Sequence, residues 1–315
     1  MRWENRPRFG LAETGFMNRD EFYRRIADLL DTCGLESKTV AVIGLGSGGS
    51  RVAAELGRLG IQLLLVERPG ELLEEHNIVR HLLGYRSLGK PKLTEMAAYI
   101  QNLNPGARVI AWPLDAVEQG RRLGRLLEER RPDLIAVCTD NEPSKHAINQ
   151  LALRLRLPQI GAAVYDGGIG GEVYRASPGK ACYGCIAAQL QLRYQPRDSR
   201  QAQNYSNPSV EEGQATCALS LDIEQIALLQ CRMALDLLLG QEHSLLRLPP
   251  EVNLCVFANR VVPGTFARPL HCEFFSVSKR ADCLECGEAP AQVEAEAERI
   301  LRGLKSPAVI SRSAP

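Results

Sequence analysis

An α/β protein is predicted, with a doubly wound, mostly parallel sheet and a smaller antiparallel extension after it. Two observations carry this expectation. Between residues 39 and 164, short apolar runs of strand length alternate with stretches of helical periodicity, the mark of βαβ units with right-handed crossovers. The first run ends in Gly44-Leu45-Gly46-Ser47-Gly48-Gly49 and a helix follows, a tight turn of the kind that opens such sheets. A third observation sets the scale: 315 residues, 45% of them apolar, can bury a sizeable core as one large or two small domains.

In order along the chain, residues 18–33 carry Phe22, Ile26, Leu29 and Leu30 at helical spacing. They are expected to form one amphipathic helix, stopped by Gly34. The first strand covers 39–43, and the helix after the glycines shows Val52, Ala53, Leu56 and Leu59 on one face. Residues 61–66 are apolar apart from Gln62, as a strand buried on both faces requires. Further strands are expected at 108–112, 133–138 and 159–164, with helices at 91–103, 119–129 and 143–155. After Val164 the texture changes. Residues 167–171 are glycine-rich, 191–213 are polar and read as a mobile loop, and 219–239 form a long apolar helix. Antiparallel strands are expected at 252–257 and 272–277, and a polar, frayed tail from 288.

The charge is balanced at +1 with both signs well mixed, which argues against a nucleic-acid or membrane partner on bulk electrostatics. No apolar run is long enough to span a bilayer. Met1 to Phe9 is polar and basic with no apolar stretch behind it, so a signal peptide is not expected and a cytoplasmic location is. Thiols stay reduced there, so the ten cysteines point to metal binding or thiol chemistry before disulfides.

Gly44, Gly46 and Gly49 form a G-x-G-x-x-G turn between strand and helix, with Glu67 ending the next strand. Glycines let the backbone approach a phosphate, the helix N-terminus supplies unpaired amides, and the acid can hold a ribose hydroxyl. This Rossmann-like nucleotide signature does not by itself separate NAD from ATP. A lysine followed by Ser or Thr is missing after the glycines, so it is not a Walker loop. Arg80, in Asn77-Ile78-Val79-Arg80, and Lys92, in Gly89-Lys90-Pro91-Lys92, are two cations beyond the second strand. Singly, each reads as solvated surface charge; beside a triphosphate they would neutralise charge on a leaving pyrophosphate. The fourth strand ends Cys138-Thr139-Asp140-Asn141. Asp140 there suits Mg²⁺ facing a phosphate, and equally suits a helix cap, a task Asn141 can take instead.

Cys182-x-x-Cys185 and Cys283-x-x-Cys286 match a structural tetrahedral Zn²⁺ site built from two hairpin-like pairs. Cys217 follows the polar loop and precedes the long helix, where the helix dipole favours a nucleophilic thiolate. A small buried apolar residue is the alternative reading. Cys231, among Ile226, Leu229 and Leu235, reads as core, and Cys33, Cys138, Cys255 and Cys272 as structural.

Taken in order, the glycine turn, Asn77-x-x-Arg80, Gly89-Lys90-Pro91-Lys92, Cys138-Thr139-Asp140-Asn141 and the two Cys-x-x-Cys pairs resemble the ThiF/MoeB/ubiquitin-activating superfamily. The resemblance covers about residues 39–287, which would form the adenylation domain, with a crossover loop near 191–218. Residues 1–38 would be an N-terminal helical segment and 288–315 the polar tail. It implies adenylation by ATP and Mg²⁺ of the C-terminal carboxylate of a ubiquitin-like or sulfur-carrier protein ending in Gly-Gly, in a homodimer, with a conjugating enzyme as a further partner. It gives Glu67 the ribose, Asn77, Arg80 and Lys92 the phosphates, and Asp140 the metal. A catalytic cysteine is expected in the crossover loop, which makes Cys217 the candidate for a thioester. Some members lend an N-terminal arginine to the partner's site; Arg6 and Arg8 are the candidates.

The chain departs from the family pattern at three places. Glu67-Arg68-Pro69 stands where Asp-x-Asp is common, His81 where glutamine is common and Lys145 where arginine is usual. Within the same superfamily the substrate could instead be a small molecule, a peptide or a tRNA base. A nicotinamide dehydrogenase would use Gly44 to Gly49 and Glu67 but leave Arg80, Lys92, Asp140 and the cysteine pairs unexplained.

Overall fold

The computed structural model describes residues 17–193, 217–240, 243 and 245–287. Residues 1–16 with Arg6 and Arg8, most of the expected crossover loop and the expected polar tail lie outside the described residues.

Eight strands form one sheet in the order β3-β2-β1-β4-β5-β6-β7-β8. The strands are β1 (Thr39–Ile43), β2 (Gln62–Glu67), β3 (Val109–Pro113), β4 (Leu134–Val137), β5 (Gln159–Val164), β6 (Gly170–Ala176), β7 (Leu254–Ala258) and β8 (His271–Phe275). The first five are parallel. The last three join antiparallel at the edge beyond β5. From β1 the chain winds outward to β2 and β3, then returns to place β4 on the other side of β1. The switch point is therefore the β1/β4 boundary, where ligands of open α/β sheets bind at the carboxyl ends of the strands.

The parallel strands β1, β2 and β4 are apolar on both faces because both faces are covered. Val40, Val42, Leu63, Leu65, Leu134 and Ala136 point toward α3 (Ser47–Arg58), α5 (Lys92–Leu103) and α9 (Ser220–Leu239). Their neighbours Ala41, Ile43, Leu64, Val66, Ile135 and Val137 point toward α6 (Gly120–Arg130) and α7 (Glu142–Leu155). Each fully buried Val, Leu or Ile contributes about 1.5–3 kcal/mol relative to exposure. A third cluster lies beyond β5, where α8 (Tyr183–Arg193) packs Tyr183 and Ile186 with Tyr174, Leu254 and Val256.

From β1 to β5 the chain runs as the periodicity predicts, but the N-terminal expectation is corrected. Residues 18–33 are not one helix. They form α1 (Arg19–Tyr23), a series of turns, and α2 (Thr32–Glu36). The expected stripe is not a buried face, since Phe22 and Leu29 are exposed while Tyr23 and Leu35 are buried. Asn18 caps α1 and Asp31 caps α2, its carboxylate accepting from Gly34 N at 2.9 Å. Gly34 thus lies inside a helix and does not end one. Two elements had no sequence signal. Strand β6 begins in the glycine-rich stretch, and a Cβ at Gly170 or Gly171 would strike the backbone of Phe257 or Ala163. Helix α8 starts at the first cysteine pair, so that pair sits on a helix N-terminus and not on a hairpin. A short α4 (Glu75–Ile78) precedes Arg80. Among the described residues no helix is long and apolar enough to cross a membrane.

Candidate functional site

The three glycines of the β1–α3 turn do three different things. Gly44 has φ +95°, and a Cβ there would lie 2.7 Å from Cys138 O, so the turn needs glycine for conformation and for space. A Cβ at Gly49 would overlap Gly44 O, so this position lets α3 start against β1. Gly46 has nothing within 4 Å of where a Cβ would be, yet it lines the cleft. There the backbone is bare toward a ligand.

The turn is clamped at one residue, Leu45, through the peptides on either side of it. Glu67 Oε2 accepts from Leu45 N at 2.6 Å, and its Oε1 from Arg68 N at 2.9 Å. Burial raises the Glu67 pKa above the usual carboxylate range, and these two amides only partly offset it. From the other side His81 Nε2 meets Leu45 O at 2.7 Å, and His81 Nδ1 accepts from Leu83 N at 3.0 Å. Nδ1 is thus an acceptor, so Nε2 carries the proton and donates to Leu45 O. Burial lowers the His81 pKa from 6.5 to about 4, so the ring is neutral at pH 7. The unfolded chain takes up this proton more readily than the folded one. The stability His81 contributes is therefore complete above pH 6.5 and lost as the pH falls from there through about 4. It amounts to about 3 kcal/mol over that span. Urea unfolding should show the midpoint dropping across this window, and dropping less in His81→Gln. An equal slope in both would assign the acid sensitivity elsewhere.

One cleft at the switch point collects most of the residues singled out from the sequence. Gly44, Gly46, Gly49, Glu67, Arg80, Lys92 and Asp140 all line it. Lys92 opens α5, and its ammonium lies 3.0 Å from Glu71 Oε2, with the side chain 12% exposed. Burial pushes the Glu71 carboxyl up, but Lys92 and Arg68 outweigh it and hold the pKa below the usual range. Asp140 is exposed at the mouth of β4 and is not the helix cap. Asn141 is, with its Oδ1 accepting from Ser144 N at 2.9 Å. Lys145, one turn into α7, is buried, lines the cleft and pairs with Glu142 at 2.7 Å. Asn77 is not among the cleft-lining residues. Its carboxamide oxygen accepts from Glu74 N at 3.1 Å in a capping box. Ala162, Val164, Ile223 and Ile226 form an apolar wall at the far side.

Cys217 is exposed, and its N–H donates to Asp166 Oδ1 at 3.1 Å. It does not line the cleft; its neighbour Ala218 does. Sequence reasoning missed Arg51, a buried arginine two residues after Gly49. It donates to Ser47 O at 2.8 Å, to Arg80 O at 2.7 Å and to Ser220 Oγ at 2.6 Å. It therefore fastens the glycine turn, the Arg80 segment and the start of α9 together. Its only signal in the sequence is a charge among the buried positions of α3.

The sulfur atoms of Cys182, Cys185, Cys283 and Cys286 all lie within 4.8 Å of one another. Cys182–Cys283 is 3.7 Å and Cys185–Cys286 is 3.5 Å. A tetrahedral site with metal–sulfur bonds of 2.3 Å has an edge of about 3.8 Å, so these thiols could bind zinc. Burial pushes the Cys182 thiol up to about 11, a cost that a bound cation would remove by stabilising the thiolate.

A glycine turn at the switch point shares one cleft with two cations and a carboxylate, in an α/β protein with four clustered cysteines on its antiparallel edge. Residues 24–260 match the ThiF family, and the chain belongs to it. It is 29% identical over 165 residues to ubiquitin-like modifier-activating enzyme 5 of Bombyx mori, covering 48% of this chain and 40% of that one. It is 31% identical over 163 residues to the sulfur carrier protein adenylyltransferase of Thermus thermophilus, covering 48% of this chain and 56% of that one. The chain thus spans about half the length of these curated relatives. Among solved structures, its fold is similar to that of E. coli MccB in complex with AMPCPP and MccA, with TM-score 0.64 at 16% identity, covering 86% of this chain and 75% of that one.

Proposed function

We propose that this chain adenylates the C-terminal glycine carboxylate of a ubiquitin-like or sulfur-carrier protein, using ATP and Mg²⁺. One observation carries the reading: a single cleft gathers the bare Gly46 backbone, Arg80, Lys92 and Asp140. Two cations and a carboxylate facing a glycine turn suit a triphosphate with its metal better than a dinucleotide. Relatives named for activating ubiquitin-like or sulfur-carrier proteins agree with it.

In this reading the amides at Gly46 and Gly49 and the α3 N-terminus take the phosphates, while Gly44, whose N–H donates to Val66 O at 2.9 Å, shapes the turn. Glu67 takes the ribose with the lone pairs left over from Leu45 and Arg68. Asp140 holds Mg²⁺. Asn77 sets the turn that carries Arg80 through its oxygen, which accepts from Glu74 N, and its Nδ2 is the donor it offers the phosphates. The substrate carboxylate oxygen attacks the α-phosphorus, the bond to the bridging oxygen breaks, and pyrophosphate leaves with charge that Arg80 and Lys92 stabilise. The apolar wall of Ile223 and Ile226 suits an extended glycine tail. Zinc in the knuckle of Cys182, Cys185, Cys283 and Cys286 is structural, since protein fills all positions. A homodimer and a downstream conjugating enzyme belong to the same proposal.

The adenylate is a mixed anhydride. Cys217 is assigned as the thiol that attacks its acyl carbon, forming a thioester and releasing AMP. Its exposure and its position beside cleft-lining Ala218 support this. Cys217→Ala should keep ATP–pyrophosphate exchange but lose any thiol-sensitive adduct with the carrier in intact mass. An adduct that persists in the variant would show another thiol at work. The function itself is tested by exchange in the presence of small proteins ending in Gly-Gly. Exchange that responds to a free peptide or small molecule, and not to such a protein, would move the substrate to that class.

A further inference from the structure

Of the residues between the paired cysteines Leu284 faces solvent, but Tyr183 and Glu285 face α7. Glu285, inside the second pair, is largely buried, its side chain 12% exposed. Its Oε1 lies 2.8 Å from His146 Nδ1, and its Oε2 accepts from Asn149 Nδ2 at 2.5 Å and from Gln150 Nε2 at 3.3 Å. Tyr183, inside the first pair, donates its hydroxyl to Glu142 Oε2 at 2.6 Å, and its N–H goes to Asn149 Oδ1 at 3.1 Å. Between them Gly184 leaves room, for a Cβ there would overlap the Glu285 carboxylate. A knuckle needed only to close the chain on itself has no use for a carboxylate aimed at a helix of another layer.

Helix α7 is the element that carries the far side of the cleft. Asp140 and Asn141 precede it, Ser144 and Lys145 lie in its first turns, and all four line the cleft. Glu142 is the link: it pairs with Lys145 at 2.7 Å while accepting from Tyr183. His146, held by Glu285, lies 3.7 Å from the same Glu142.

We infer that Glu285 is a positioning residue of the nucleotide cleft: it anchors α7 so that Asp140 and Lys145 stay where the reaction needs them. The inference rests on the adenylation reading for its catalytic meaning. The metal knuckle then sets the geometry of the site without touching substrate. Outer partners that orient working residues typically matter by one to two orders of magnitude, because small displacements at a reacting centre cost rate steeply.

The test uses the full chain with Glu285→Ala, Glu285→Gln and Tyr183→Phe. Zinc content, ATP–pyrophosphate exchange and amide hydrogen exchange of residues 140–147 are measured on each. Glu285→Ala should keep its zinc and lose about 10-fold in kcat for exchange, with KM for ATP changed less. Amides 140–147 should open faster while those of 45–50 do not. Glu285→Gln should recover part of both, because its carboxamide oxygen still accepts one donor. Tyr183→Phe should loosen the same segment. If residues 140–147 in zinc-loaded Glu285→Ala are protected as in the wild type, or if kcat falls only in step with zinc loss, the inference fails. A wild-type protein that exchanges no pyrophosphate sinks the adenylation reading alone; the hydrogen-exchange arm still decides whether Glu285 holds α7.

Discussion

Replacing Asp140 by alanine is expected to slow ATP–pyrophosphate exchange by about 10²-fold or more while leaving the fold almost as stable as before. The two halves of that expectation come from different residues. The cap that a helix start needs is supplied by Asn141, whose side chain accepts from Ser144 N. Asp140 is exposed, and its Oδ1 meets Asn141 Nδ2 at 3.5 Å. An exposed side chain away from caps and cores changes stability by about 0.5 kcal/mol at most. The carboxylate lines the same cleft as Arg80 and Lys92, where its charge can hold the metal that balances the triphosphate. A folded Asp140→Ala protein that exchanges near the wild-type rate would leave Asp140 without a chemical part.

The second large effect concerns the knuckle. Cys283→Ser should lose zinc and lower the melting midpoint by about 10 °C or more, because several kcal/mol of metal binding is folding free energy. The first pair is carried by α8, but the second sits in a turn with no regular structure, fixed by Cys283 N to Arg280 O and Gly287 N to Cys283 O. Arg280 N also reaches Cys185 Sγ at 3.4 Å. Without the thiolate cage that turn is joined to the body mainly through Glu285 and a few such contacts. Elemental analysis of protein purified without chelator checks the claim. A zinc-free protein, or a Cys283→Ser variant that melts like the wild type, would contradict it.

What the sequence revealed and what it hid follow from the range of the interactions. Strands β1, β2 and β4 were legible because each is buried on both faces and reads as an unbroken apolar run. Strand β6 was not. It holds Gly170 and Gly171 where neighbouring backbone crowds in, and buried Glu172 and Arg175, whose partners Tyr165 and Asp236 lie elsewhere. Residues 18–33 misled because the helical spacing was real, but the core took Tyr23, off that stripe. The glycine turn was legible from spacing, since the positive φ of Gly44 and the packing of Gly49 on Gly44 O are local, although Gly44 also makes room for Cys138 O. Its clamp at Leu45 was not, because Glu67 and His81 come from 22 and 36 residues away. The same holds for Glu285: the cysteine spacing marks the knuckle, and nothing in the sequence says that its middle residue reaches α7.

The central claim is that the cleft takes a triphosphate. Titration calorimetry of the full chain with ATP, ADP, NAD and NADP in the presence of Mg²⁺ tests it most directly. ATP should bind most tightly, its affinity should fall when Mg²⁺ is removed, and Lys92→Ala should weaken it. Tight binding of NAD together with no binding of ATP would contradict the account.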